Sequence, residues 1–245
     1  MIESGLLLYS AIIFLAALVG GLVTLLRKWS YENLHLFLSL GAGVFLGVVF
    51  LYLLPQSFAH HSQPDKSYIA LTILLGYLII LFFKRILFIK RGQGDSESHR
   101  IVSITAFLGF SVHSLIEGFG LAVGSLKAEL GTLIFISIIA HKSMASFSLS
   151  SLFMLSKTST RKTVGLIFIF SLMTPLGAIG FAPVFSSLPP EMLVYLTALT
   201  AGTFLYVATG DLLPEVFHTH ENRWLKLLLL IFGVVIMIAL GHEGQ

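Results

Sequence analysis

The chain of 245 residues contains no cysteine. That absence excludes a disulfide framework and a thiolate metal site, so any metal bound here must take nitrogen and oxygen ligands. Charge is scarce as well: Asp, Glu, Lys and Arg make up 11% of the residues, 56% are hydrophobic, and the mean hydropathy is +0.93. That balance leaves too little polar surface for a water-soluble domain, and lipid becomes the expected solvent. Long polar connections are also missing. The longest is Lys90 to Arg100 (KRGQGDSESHR), whose Gly, Ser and charged residues read as a short cytoplasmic loop. The N-terminus, MIESGLLLYS, has neither the basic stretch nor the small-residue cleavage site of a signal peptide, so the first apolar run is expected to stay in the chain.

Apolar runs are what the sequence has in abundance. A bilayer core of about 30 Å takes roughly 20 helical residues, and eight runs of about that length fall near 5–26, 34–58, 67–89, 101–125, 130–155, 163–186, 192–217 and 224–241. The expected fold class is an all-α membrane protein with eight transmembrane helices in one transmembrane domain over 1–245. Twelve of the 15 Lys and Arg residues lie at the loops after spans 1, 3, 5 and 7, whereas the opposite loops carry only Lys66 and Lys127. Basic residues stay cytoplasmic, which puts those odd-numbered loops inside and both termini outside. A multi-pass protein of the plasma or inner membrane follows. The net charge of +3 reports this bias and asks for no nucleic-acid partner.

Spans 2 and 7 read alike at an offset of 159 residues: the AGxFLxV beginning at Ala42 recurs at Ala201, and the LLPxxF beginning at Leu53 recurs at Leu212, with His61 and His220 in the same frame. By the charge-derived topology the two spans run in opposite directions. Related segments of opposite orientation characterise inverted-repeat transporters, whose site lies near the midplane between the halves. The bundle is expected to divide three, two, three, with spans 1–3 related to spans 6–8, and spans 4 and 5 become the place to look for chemistry.

Span 4 reads FSVHSLIEGFGLAVG, which puts His113 and Glu117 four residues apart on one helix face, with the Ser114 hydroxyl beside them and Gly118 leaving room for another backbone. Span 5 reads IIAHKSMASFSLSS and adds His141, Lys142 and Ser143. A lone intramembrane histidine is as often part of a hydrogen-bonded network that joins helices. Two imidazoles and a carboxylate on adjacent spans are costly in lipid unless they face water, one another or an ion. That N/N/O set, with water or Ser114 completing the shell, suits Zn²⁺ and tolerates Cd²⁺, Fe²⁺, Mn²⁺ or Co²⁺. Lys142 has no lone pair for a metal when charged; it is expected to pair with Glu117 or to fill the space of a second cation. Span 7 ends TGDLLPEVFHTHE, placing Asp211, Glu215, His218 and His220 along a path towards the cytoplasm, with Pro214 interrupting the helix ladder. His60 and His61 mark the opposite mouth, and His35, His99 and His242 have no partner that the sequence reveals.

The HSxxEG of His113 to Gly118, the HKS of His141 to Ser143, the MTPLG of Met173 to Gly177 and the AGTFLYVATGDLLPE of span 7 stand in the order found in the ZIP (Zrt/Irt-like protein) family of divalent metal transporters, which the chain resembles over nearly its whole length, closest to the branch with His-Lys in span 5. The resemblance implies eight helices in a three-two-three arrangement, metal uptake towards the cytoplasm, and an elevator-like slide of central helices against the others. It maps His113, Glu117 and His141 onto transport-site ligands and Ser114 onto a position where many members have Asn. The chain departs from the family at Lys142 and Ala145, where many members have carboxylates or a further His, and at Met144, a frequent proline. A single transport ion is therefore expected, with the Lys142 charge standing where a second would be. The long His-rich cytoplasmic loop of many members is absent.

The expected partners are divalent metal ions and the lipid bilayer, with a homodimer an open option; Zn²⁺ enters as cargo, and no cofactor is expected. The alternative reading is an intramembrane zinc-dependent hydrolase, which needs an open coordination position and a general base. Asp211 is the sole nominal base, and the repeat would go unexplained, so a carrier rather than an enzyme is expected.

Overall fold

The computed structural model describes residues 4–26, 29–58, 65–90, 95–125, 128–180, 187, 189–218 and 221–242. All eight apolar runs are helices long and apolar enough to cross a membrane, and no strand occurs among the described residues. In chain order they are α1 (Ser4–Val23), α2 (Tyr31–Gly47, continuing through Val48–Leu53 and Leu54–Phe58), α3 (Lys66–Lys90), α4 (Asp95–Gly124), α5 (Ala128–Leu155), α6 (Thr160–Pro175, continuing through Leu176–Gly180), α7 (Pro190–Tyr206, continuing through Val207–Leu212 and Leu213–Phe217) and α8 (Arg223–His242).

Most ends fall within a few residues of the sequence reading. One departs from it: α4 begins at Asp95, inside the stretch read as a loop. The last stretch of span 6, 181–186, lies outside the described residues. At the start of α2 the Ser30 side chain accepts the Asn33 N–H at 3.2 Å, an N-cap that sets where the chain turns into the helix.

Three helices widen locally into a π turn, at Val48–Leu53, Leu176–Gly180 and Val207–Leu212. Each lies beside a proline, Pro55, Pro175 or Pro214. A proline supplies no N–H to the ladder, and a looser turn is one way for the freed carbonyls to find other donors. Leu54 N–H reaches back five residues to the Val49 carbonyl, and Leu213 N–H does the same to Ala208.

The repeat extends from sequence to backbone. Every boundary within α2, from Tyr31 through Gly47, Leu53 and Phe58, recurs in α7 at the same offset as Pro190, Tyr206, Leu212 and Phe217. Their close contacts correspond as well. A side chain at Gly43 would meet the Leu230 carbonyl and Gly233 of α8, and one at Gly202 would meet the Ile73 carbonyl of α3, whose Gly76 in turn faces Leu199. The first half of the chain thus packs its middle helix on the last helix of the second half, and the reverse holds too.

Packing sorts the helices into two groups. α1, α4, α5 and α6 pack mainly on one another, as do α2, α3, α7 and α8. The groups meet where α4 and α5 lie against α2 and α7, over a core that includes the stacked rings of Phe45 and Phe110 at 4.3 Å. α5 is the least apolar of the eight and also the most enclosed, with 76% of its central window buried. Its Ser146, Ser148, Ser150 and Ser151 therefore face protein, which explains how so polar a run sits in a membrane span.

Candidate metal centre

α4 supplies His113 and Glu117 one turn apart, and α5 brings His141 across to the same carboxylate oxygen. His113 Nε2 lies 3.6 Å and His141 Nε2 2.5 Å from Glu117 Oε1, and the two imidazole centroids are 5.8 Å apart. One ligand atom from each of the three residues falls within 4.8 Å of the others, a spacing that one ion can bridge. The side chains are 7–8% exposed, so water does little to stabilise them. Among the described residues His113 Nδ1, His141 Nδ1 and the second carboxylate oxygen have no hydrogen-bond partner. Buried polar atoms are normally satisfied, and two imidazoles and a carboxylate left in this way suit a divalent cation in chemistry.

The surroundings hold the three ligands in place. Phe204 of α7 lies against the His113 ring at 4.0 Å between centroids. A side chain at Gly118 would collide with the Thr174 carbonyl of α6, and one at Gly177 with the Leu115 carbonyl, so α4 and α6 touch backbone to backbone directly beside Glu117.

Lys142 is buried one residue beyond His141, yet its Nζ donates to Ser114 Oγ and rests over the Phe170 ring at 4.1 Å. The cation is thus stabilised by a hydroxyl and an aromatic face. Among the described residues the ion pairs of Glu117 run to the two histidines and not to Lys142. Ser114 Oγ accepts from Lys142, and Ser143 Oγ donates to the Ile139 carbonyl at 3.3 Å, so both hydroxyls are engaged.

In α7, Asp211 is buried in a network of its own. Lys84 of α3 reaches it at 2.6 Å, and Thr105 of α4 donates to its other oxygen at 2.8 Å. Lys84, counted with the cytoplasmic loops on charge grounds, stands within its helix. One turn further on, Glu215 meets two histidines for which the sequence offered no partner: His35 Nε2 at 3.3 Å and His99 Nδ1 at 2.9 Å. His218 joins them, its ring 5.2 Å from that of His35. The signal that would have found this group is topological, because the starts of spans 2 and 4 and the end of span 7 all fall at one end of an alternating bundle. His60, His61 and His220 lie outside the described residues.

Eight helices long and apolar enough to cross a membrane define an integral, multi-pass membrane protein, and two imidazoles and a carboxylate converge in its interior. The chain belongs to the ZIP zinc transporter family, whose model matches residues 89–241. It is similar to the zinc transporter ZIP9 of Xenopus tropicalis, 25% identical in an alignment covering 98% of each chain, and to the zinc transporter ZIP1 of Danio rerio, 34% identical over 58% of this chain and 48% of that one. Protein zntD of Dictyostelium discoideum is 36% identical over 56% of this chain and 21% of its own.

Proposed function

We propose that this protein carries Zn²⁺ across its membrane towards the cytoplasm, one ion at a time, through the His113–Glu117–His141 centre. The observation that carries the reading is the convergence of two buried imidazoles on one buried carboxylate. Glu117 supplies the negative charge that offsets desolvation of the ion, the neutral imidazoles supply borderline-soft nitrogen, and water completes the shell. Cd²⁺, Co²⁺, Fe²⁺ and Mn²⁺ fit the same donor set and are the expected competitors. Lys142, held against Ser114 and Phe170, keeps a positive charge beside the centre, which disfavours a second ion.

All three ligands belong to the group α1, α4, α5 and α6. The reading supported by this division is that the group moves with its ion against α2, α3, α7 and α8, exposing the centre first to one side and then to the other. The basic-residue bias favours a cytoplasmic position for the end bearing Glu215 and His218, so the ion leaves past them, with Asp211 on the same side.

Radiolabelled zinc uptake into proteoliposomes tests this. Glu117→Ala should reduce uptake to background while the variant still inserts and purifies as a monodisperse species. Normal uptake by such a well-folded variant would refute the assignment of the centre.

A further inference from the structure

Three phenylalanine rings from three helices meet directly beside the metal centre. Phe110 of α4 stacks on Phe45 of α2 with ring centroids 4.3 Å apart, and Phe204 of α7 lies 5.3 Å from the first and 5.6 Å from the second. Phe204 also carries the His113 ring, at 4.0 Å. None of the three phenylalanines is more than 1% exposed.

Their depth follows from residue counts, because His35 and His99 both touch Glu215 and so mark one level near that end of the bundle. Phe45 lies 10 residues from His35 along α2, Phe110 lies 11 from His99 along α4, and Phe204 lies 11 from Glu215 along α7. At the helical rise each separation is about 15–17 Å, so the rings form one layer. His113 stands one turn past Phe110, about 4.5 Å further from that end. One turn to the other side, the same three helices carry Ala42, Ala106 and Ala208, all fully buried. Polar contacts resume next to these alanines, where Thr105 donates to Asp211 at 2.8 Å. The apolar barrier is therefore thin: a layer of rings backed by small side chains, with polar groups on both sides of it.

Water leaves a constriction lined by apolar side chains, and an ion cannot cross it without the shell that water provides. The alanines leave space into which a ring can turn. Phe45 and Phe204 hold the same position in the repeat, 159 residues apart, so each half of the chain supplies one ring. Both belong to the group α2, α3, α7 and α8, whereas Phe110 belongs to the other, so the layer straddles the boundary between the two.

We propose that Phe45, Phe110 and Phe204 are the gate residues of the proposed transport, a dry layer one ring thick that closes the metal centre to the end bearing Glu215 and parts when the two helix groups shift. The purpose of the gate rests on the transport reading above; the barrier itself is measured without zinc.

Because the chain has no cysteine, a single one in place of His113 reports access to the centre. In sealed vesicles holding the full chain, a charged, membrane-impermeant thiol reagent is applied at the end bearing Glu215. Labelling of Arg161→Cys, an exposed position at the start of α6, identifies that side. His113→Cys should react slowly from there, and several-fold faster once Phe204→Ala or Phe45→Ala is added, the two acting alike as equivalent positions. Phe204→Leu keeps the layer filled and apolar and should stay slow. So should Phe153→Ala, which removes a buried ring from another part of the same core. Fast labelling with all three rings in place overturns the gate, as does equal acceleration by Phe153→Ala or none by either ring variant. Should Phe204→Ala fail to purify as a monodisperse species, Phe45→Ala carries the test. A wild-type protein that takes up no zinc would refute the transport reading and leave the labelling to decide the barrier.

Discussion

At Gly210 the helix leaves a carbonyl without its usual donor, because Pro214 four residues on has no N–H. Lys84 reaches across from α3 to take it at 2.9 Å and binds Asp211 with the same ammonium. Removing one partner of a buried ion pair strands the other, which costs about 3–5 kcal/mol. Lys84→Met should lower the melting temperature in detergent, and Lys84→Met/Asp211→Leu should recover most of the loss; equal melting of the two variants would show that stranding is not the cause. At the proposed transport centre, Lys142→Glu exchanges a cation for a carboxylate beside Glu117, so metal content per chain should rise by one ion by mass spectrometry. An unchanged content would make Lys142 merely structural. The shared face of His113 and Glu117 was legible in the sequence because four residues separate them, whereas the meeting of His141 with the same carboxylate depends on how α5 packs on α4. The partners of Asp211 were not, since a lysine near the end of an apolar run looks like topology until the neighbouring helix is in place.

Among the elements, α4 carries the most. Its His99 meets Glu215, its Thr105 donates to Asp211, it presents His113 and Glu117, and it touches α6 through Gly118. That crossing gives a sharp test, because Gly120 lies on the same helix with nothing within 4 Å of an added Cβ. Gly118→Ala should lower stability by about 1–3 kcal/mol through overpacking and weaken zinc binding, whereas Gly120→Ala should do neither; matching effects would remove the crossing from the argument. The proline-linked π turns show what was readable at this scale. Pro214 announced an interruption in span 7, and the LLPxxF match related it to Pro55 in span 2, whereas nothing in the sequence singled out a break at Pro175. The widening itself depends on which neighbouring donors and carbonyls are within reach, and those come from other helices.

The whole molecule is two helix groups in contact along α4, α5, α2 and α7, and the proposed transport requires that they move. Because the chain has no cysteine, an introduced pair would be its only thiols. Phe37 on α2 and Phe147 on α5 face each other across the boundary with ring centroids 4.9 Å apart. Joining Phe37→Cys and Phe147→Cys with a reducible bifunctional thiol reagent should reduce uptake to background, and reductant should restore it. Full uptake by the linked protein would mean that the groups do not separate there. Helix number and the α2–α7 equivalence followed from patterning, but the grouping did not. Lipid-facing and partner-facing leucines look the same in a sequence, and only small residues such as Gly43 and Gly202 hinted at where backbones meet.

The exchange of partners between halves also dictates an order of assembly. α2 is made well before α8, the helix that covers Gly43. Until α8 emerges that groove lacks its native cover, so the final arrangement cannot form span by span as the chain inserts. A chain stopped before Arg223 would enter the membrane with seven helices and still lack the wall against which its second one rests.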